Sequence, residues 1–383
     1  MPGAHAHAKP AKRNGLRILG LVAAVIVVGA GVTFVVNGTS TGTTESAAPP
    51  VAAHETASTR PLHLVSMNPA DGASGVASNT TITVQFSEPL SAHTPMPTLT
   101  PAVAGTWQQL SPTTLAFAAT APLVPSSTET VTVPAGLGGV ESVGGITLGQ
   151  QATAHFTVAT GSTLRLQQLL AQQGYLPLSF APAGPVAAPQ ELAQPQEGTF
   201  SWRFTEPDPL VAQWTTGTTN VITKAAVMAF ENKHDMETDG APGPGVWGKL
   251  LADAASGTVN ADNYNYVYVS KTLPQKATVY SNGAAVYSTP ANLGITGAET
   301  ASGTFPVFQH LKLTRMRGTN PDGTKYDDPD VPWVSYFNGG DALHGFVRSS
   351  YGSPQSVGCV ELPPANAAVV FPYTPVGTLV TVS

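Results

Sequence analysis

The chain has 383 residues, with 17 basic and 23 acidic side chains, a formal net charge of −6 at pH 7 and a single cysteine. One cysteine excludes an intramolecular disulfide, so the folded parts must be held together by ordinary apolar cores. With 38 glycines, 34 prolines and only 10% charged residues, the composition favours short strands and turns over helical bundles. The length allows two to four domains.

An apolar segment spans residues 16–36, and Arg17 is its one charged residue. As a helix it would extend about 32 Å, which is enough to cross the core of a bilayer. Other basic residues precede it, and none follows before Arg60. This asymmetry predicts that residues 1–15 are cytoplasmic and that the rest of the chain is extracytoplasmic. We expect an uncleaved single-pass anchor in the cell membrane; a cleaved signal peptide is the alternative, although no clear small-residue cleavage site follows.

The part of the chain beyond this segment is acidic. All 23 acidic residues follow it, whereas four of the 17 basic residues precede it or stand at its start, which leaves a formal charge of −10. Nucleic acid is therefore not an expected partner. Residues 37–61 are small, polar and proline-containing, and we interpret them as a flexible linker.

Residues 62–159 show the alternating pattern of β-strands. Ile82, Val84 and Phe86 fall on one face of a predicted strand, and turn sequences separate it from further strands. Short strands at this spacing predict a β-sandwich. The order LVSMNPADGASGV, TITVQFSEPL, TETVTV and AHFTV resembles bacterial Ig-like domains, which implies a spacer or docking module.

Residues 162–256 have helical periodicity. The first helix follows Ser162 or Thr163 as its N-cap, and two more read TKAAVMAFENKH and GPGVWGKLLADA. These segments resemble the peptidoglycan-binding helical domain of wall hydrolases and transpeptidases, although Glu231 stands where that family usually has Gln. A proline-rich insertion, 178–217, interrupts the module. A packed spacer without wall binding is the alternative.

Residues 264–383 predict a mostly β domain that contains the one cysteine. His344 precedes Cys359 by fifteen residues, and Ser356 and Gly358 complete a Ser-x-Gly-Cys turn. A lone cysteine is most often a small buried apolar residue. A histidine and a glycine near it are also what a thiol nucleophile requires, because the imidazole takes the proton and the glycine lets backbone N–H groups approach an oxyanion.

The segments ETASGTFPVF, YDDPDVPWVSYFNGGDALHG and SVGCVELPPANAAVVF resemble, in this order, the L,D-transpeptidase (YkuD-type) catalytic domain. The resemblance implies that Cys359 is the nucleophile and His344 the general base. It also implies that the backbone N–H groups of Gly358 and Cys359 bind the oxyanion, while the carbonyl of Gly345 orients the imidazole. Ser356 is the first residue of the same turn.

Three aromatic residues ahead of the histidine are expected to contact substrate, namely Tyr326, Trp333 and Tyr336. We place Tyr326 in a loop rich in Gly, Pro and Asp, where it either serves the oxyanion or is an ordinary surface tyrosine. Two residues beside the cysteine depart from the family: Val357 replaces the usual His, and Glu361 replaces the usual Arg or Asn. A carboxylate there would raise the pKa of the thiol unless it turns away.

The sequence thus predicts a multidomain α+β protein with a transmembrane helix, a β-sandwich Ig-like domain, a small helical domain and a mostly β catalytic domain. The implied reaction is the cross-linking of peptidoglycan stem peptides through a thioester, with carbapenem β-lactams as inhibitors. A carboxypeptidase, with water as acceptor, and a non-catalytic peptidoglycan tether are the alternatives. The scattered histidines form no metal-ligand pattern, and we expect neither metal nor cofactor.

Overall fold

The computed structural model of the protein describes residues 60–185, 187–205 and 208–383. The predicted cytoplasmic tail, the predicted membrane helix and most of the predicted linker lie outside these ranges. Within them, none of the helices combines the length and the apolar character that crossing a membrane requires. The anchor at residues 16–36 therefore stays a prediction.

Eight strands form the first folded part. They are β1 (Leu64–Asn68), β2 (Ala73–Val76), β3 (Ile82–Phe86), β4 (Thr98–Thr100), β5 (Gly105–Ser111), β6 (Thr114–Ala119), β7 (Thr128–Val133) and β8 (Ala152–Val158). They make two four-stranded sheets, with the orders β1-β3-β6-β5 and β2-β8-β7-β4. Ile82, Val84 and Phe86 are buried in one apolar core with Val131 and Phe156 of the other sheet. The predicted β-sandwich is confirmed, because buried residues alternate with more exposed ones along β3, β6, β7 and β8 and the two sheets share this core.

Four helices follow: α1 (Thr163–Gln172), α2 (Asp208–Val211), α3 (Val221–Lys233) and α4 (Pro244–Ser256). The Ser162 hydroxyl caps α1 by accepting from the Arg165 backbone N–H at 3.2 Å. Asn220 caps α3 in the same way, through the N–H of Thr223 at 2.9 Å. Leucines of α1 meet Phe230 and Trp247 in a core that is closed to solvent.

The proline-rich segment 178–217 has a structure of its own, which its interpretation as an insertion did not predict. It forms an antiparallel pair of strands, β9 (Leu178–Pro182) and β10 (Gly198–Trp202), and it includes α2. The ring of Phe200 lies 5.0 Å from that of Phe180 and 5.3 Å from that of Trp214, between ring centroids. These rings join the apolar core of the helices, so the segment completes that core.

The C-terminal part contains nine strands and one α-helix. They are β11 (Asn265–Ser270), β12 (Lys276–Ser281), β13 (Ala284–Pro290), β14 (Gly303–Pro306), β15 (Gln309–Thr319), β16 (Lys325–Asn338), β17 (Asp341–Gly345), β18 (Val360–Leu362), α5 (Pro364–Val370) and β19 (Leu379–Val382). One sheet has the order β13-β12-β11-β19-β14 and the other β15-β16-β17-β18. Val267, Val279, Phe337 and Val380 are among the buried residues between them. The C-terminal part is mostly β, as the sequence predicts.

Glu231 offers a test of the helical core, because its side chain is buried and accepts a hydrogen bond from the Gly240 N–H at 2.9 Å. Burial is the main cause that raises its pKa from 4.5 to about 7. Below pH 4.5 the group is neutral in both the folded and the unfolded chain. As the pH rises to 7, the unfolded chain ionises first, and the folded state loses stability.

We therefore expect Glu231→Gln to stabilise the protein at pH 8 by roughly 1–3 kcal/mol and to change little at pH 4.5. Urea unfolding at both pH values measures this difference. Glu197→Gln is the control, because Glu197 is exposed. Equal effects of Glu231→Gln at the two pH values would contradict the raised pKa of Glu231.

Candidate active site

The parallel pairing of β17 with β18 brings the histidine and the cysteine together. His344 is paired with Glu361 and Leu343 with Val360, and Cys359 immediately precedes β18. Side chains alternate along a strand, so His344, Glu361 and Cys359 project from the same face of this pair. Two residues separated by fifteen positions in the sequence thereby become diagonal neighbours.

Gly358 shapes the turn that presents the cysteine. Its φ of +117° lies in a region that favours glycine, and a Cβ at this position would stand 2.6 Å from Oδ1 of Asp341. Any side chain would therefore both strain the backbone and collide with a carboxylate. The glycine is required by the geometry of the turn.

His344 and Cys359 line one cavity of about 490 Å³. The strand pair supplies one wall, and the hairpin of β15 and β16 supplies the other. The remaining lining residues are Ile295, Met316, Asn320, Pro321, Asp322, Tyr326, Asp328, Phe346, Arg348, Gln355, Val357 and Glu361. Val357 presents an apolar side chain to this cavity.

The imidazole of His344 is held as a neutral base. Its Nδ1 lies 3.2 Å from the carbonyl oxygen of Gly345, and since a carbonyl only accepts, Nδ1 carries the proton. Nε2 is then the nitrogen that can take a proton. The ring is 3% exposed, and this burial lowers the pKa of His344. The structure thus places the Gly345 carbonyl where the sequence interpretation put the group that orients the imidazole.

The thiol of Cys359 is protonated in this arrangement. Its Sγ–H donates to the carbonyl oxygen of Gly340 at 3.5 Å. Burial raises the pKa of the Cys359 thiol to about 12, and the charges of Asp341 and Glu361 act in the same direction against a backbone hydrogen bond from Ala342. A neutral thiol and a neutral imidazole therefore face the same cavity, and the proton must move during the reaction.

Ser356 acts on the backbone of the turn. Its hydroxyl donates to the carbonyl oxygen of Cys359 at 2.6 Å, and the Thr300 hydroxyl donates to the same oxygen at 3.4 Å. Ser356 is 1% exposed. The hydroxyl thus holds the cysteine backbone in place, and it is not among the residues that line the cavity.

Glu361 is paired with Arg348, a residue that the sequence interpretation did not include. The guanidinium donates from Nε to Oε2 at 2.8 Å and from Nη2 to Oε1 at 2.7 Å. Nη2 also donates to the Gln355 carbonyl oxygen at 3.1 Å. The bidentate pair offsets much of the negative charge that Glu361 would otherwise hold beside the thiol.

The three aromatic residues have different positions. Tyr326 lines the cavity, but it lies within strand β16 and not in a loop, and its ring covers Gly318 on β15. Tyr336 packs in the same small cluster as Cys359 without lining the cavity. Trp333 does not line the cavity and packs against Phe371, with 5.4 Å between ring centroids, so its contact with substrate stays a prediction.

Comparison with known proteins matches two parts of the chain to protein families. Residues 58–158 match the model of the bacterial Ig-like domain, and residues 264–382 match the model of the L,D-transpeptidase catalytic domain. The chain therefore carries a bacterial Ig-like domain and an L,D-transpeptidase catalytic domain. No curated protein sequence matches the chain.

Solved structures similar to this chain are also L,D-transpeptidases. The enzyme from Mycobacterium smegmatis is 15% identical over 85% of this chain and 100% of its own, with a TM-score of 0.29. L,D-transpeptidase 3 from Mycobacterium tuberculosis, in complex with a faropenem-derived adduct, is 13% identical over 84% and 97%, with a TM-score of 0.29. The catalytic domain of the E. faecium enzyme is 25% identical over 32% of this chain and 100% of its own, also with a TM-score of 0.29.

The protonation state of the thiol leads to a testable prediction. With a pKa of about 12, the thiolate fraction and the rate of alkylation by iodoacetamide should rise about tenfold per pH unit between pH 6 and 9, without a plateau. Intact-mass measurement follows the reaction cleanly, because the chain has one cysteine, and Cys359→Ala provides the blank. A plateau with a midpoint near neutral pH would instead reveal a thiolate–imidazolium pair.

Proposed function

We propose that this protein is a membrane-anchored L,D-transpeptidase that cross-links peptidoglycan through a thioester on Cys359. The observation that supports this most strongly is the neutral His344 imidazole and the Cys359 thiol on the wall of one cavity. They lie in a domain that matches the L,D-transpeptidase family. The membrane anchor rests on the apolar segment 16–36 and the basic residues around its start.

The first half-reaction forms the thioester. Nε2 of His344 takes the thiol proton while the sulfur attacks the carbonyl carbon that precedes the terminal D-Ala of a tetrapeptide stem. The backbone N–H groups of Gly358 and Cys359 bind the oxyanion. The carbon–nitrogen bond then breaks, and D-Ala leaves with the proton that His344 returns to its amine.

The second half-reaction forms the cross-link. An amine of a neighbouring stem attacks the thioester carbon and gives a proton to His344. The carbon–sulfur bond breaks, and the sulfur recovers its proton. A carbapenem follows the first half of this path: the sulfur opens the β-lactam ring and stays acylated, because the ring nitrogen remains attached to the product.

A non-catalytic tether is the weaker proposal. It is supported by Val357 and by the Glu361 carboxylate beside the nucleophile. The two hydrogen bonds from Arg348 to that carboxylate weaken the second of these arguments. The fixed tautomer of His344 also favours proton transfer over a purely structural role.

We expect Cys359→Ala and His344→Gln to lower the formation of cross-linked muropeptides from tetrapeptide donors by at least a thousandfold, because the nucleophile or its base is lost. Mass spectrometry of the products measures this, and a carbapenem should add its mass to Cys359 of the unmodified protein. His310→Gln is the matched control, since that half-buried histidine contacts Phe371 and does not line the cavity. Full activity of Cys359→Ala would refute the proposal, and release of D-Ala without cross-links would identify a carboxypeptidase.

We expect the anchor to hold the full chain in the membrane fraction. The protein should resist extraction by salt and alkali and be released by detergent, whereas a chain lacking residues 16–36 should remain in the soluble fraction. Sequencing of the N-terminus of the mature protein is the decisive measurement. A start beyond residue 36 would show that the segment is a cleaved signal peptide.

A further inference from the structure

The hairpin wall of the catalytic cavity carries a carboxylate whose role the proposed reaction does not explain. Asp328 lies on β16, paired with Met316 of β15, and lines the cavity together with Cys359 and His344. It is only partly exposed. Within the described ranges the Asp328 side chain makes no hydrogen bond and no ion pair.

The other two carboxylates of the cavity already have hydrogen-bond donors. Glu361 is bound by Arg348 through two hydrogen bonds. Asp322 accepts hydrogen bonds from the backbone N–H and the hydroxyl of Thr324, and it is exposed. With His344 neutral, the lining carries three carboxylates against the single cation Arg348, so its net charge is negative. Within the described ranges, Asp328 is the one of the three that accepts no hydrogen bond. The charge of Asp328 acts on both His344 and Arg348, which shows that it lies near the catalytic wall.

A half-buried carboxylate without a partner favours a cationic ligand. In the proposed reaction, the residue that becomes attached to Cys359 is the third residue of the stem, a diamino acid. Its side chain ends in an ammonium group a few bonds from the carbonyl carbon that the sulfur attacks. Within a cavity of about 490 Å³, this ammonium is the nearest substrate cation to the reacting atoms.

We propose that Asp328 binds the side-chain ammonium of the donor stem's diamino acid and thereby sets the specificity of thioester formation. This inference rests on the proposed function. The acceptor amine is the less suitable occupant, because a carboxylate beside it would stabilise its protonated form, which cannot attack the thioester.

The neighbouring residue provides a matched control. Asp327 precedes Asp328 on the same strand, so its side chain projects from the opposite face of the hairpin. Its carboxylate is bound by Arg315 at 2.5 and 2.6 Å and by Arg317 at 3.1 Å, and it does not line the cavity. Asp327→Asn therefore removes the same charge from the same strand without changing the cavity wall.

The experiment measures thioester formation on the full chain without an acceptor, by intact mass and D-Ala release. The donors are a tetrapeptide with a free side-chain amine at the third residue and the same peptide with that amine acetylated, each in lysine and diaminopimelate versions. We expect the unmodified protein and Asp327→Asn to prefer the free amine on the order of tenfold in the second-order rate constant of thioester formation. Asp328→Asn should lose this preference through slower reaction of the free-amine donor alone.

The acetylated donor serves as the internal standard for folding and for the chemical step. An unmodified protein without a preference would overturn the inference, as would an Asp328→Asn variant that keeps it. In a parallel assay with an acceptor stem, an Asp328→Asn variant that slows only the reaction of the thioester with the acceptor amine would overturn it as well. If neither donor nor a carbapenem acylates Cys359, the proposed function fails, and this inference fails with it.

Discussion

The parallel register of β17 and β18 is the constraint on which the catalytic site depends. It pairs His344 with Glu361 and leaves Cys359 one residue before the strand, so that the base and the nucleophile share a face. A shift of one residue would turn the thiol to the opposite face of the sheet. Gly345 helps to hold this register, because a Cβ there would stand 3.1 Å from both Pro332 and Pro364. Close packing at Gly345 thus leaves no room for a side chain at this position of β17.

Burial and nearby charges then determine the protonation states of Cys359 and His344 before the reaction. Asp341 and Glu361 lie close enough to the sulfur that their charges oppose its ionisation, and burial does so more strongly. Burial also keeps His344 neutral. The site is therefore a thiol and an imidazole rather than an ion pair, and proton transfer has to accompany the attack on the carbonyl. The oxyanion donors and the cavity wall are therefore important for the reaction rate, because they stabilise charge that exists only during the reaction.

The features that the sequence predicted correctly are those that local patterns determine. Alternation identified Ile82, Val84 and Phe86 as core residues of a strand, and the short polar residue before α1 identified its cap. The pairing of Arg348 with Glu361 was missed, because two opposite charges thirteen positions apart carry no periodic signal and meet only once the sheet has formed. Arg348 follows His344 by four residues, and that proximity was the one available hint.

Tyr326 and Trp333 show why the β15–β16 hairpin could not be interpreted correctly from its sequence. The segment is rich in Asp and Pro, which favour turns, yet it forms a strand because it pairs with β15. Trp333 has a φ of +59°, which interrupts the regular alternation of the strand. Its ring packs on Phe371 as a result. Tertiary contacts thus overrode the local signal at both residues.

The helical part contributes to the catalytic domain even apart from wall binding. Its apolar core includes Tyr266 of β11 and Leu379 of β19, two neighbouring strands of the five-stranded sheet. Gly377, just before β19, lies so close to α3 that a Cβ there would stand 2.6 Å from the carbonyl oxygen of Ala225. Because β19 lies inside this sheet, between β11 and β14, loosening the helical core would disturb a strand that the catalytic domain requires. The helical part therefore contributes to the stability of the catalytic domain through this packing.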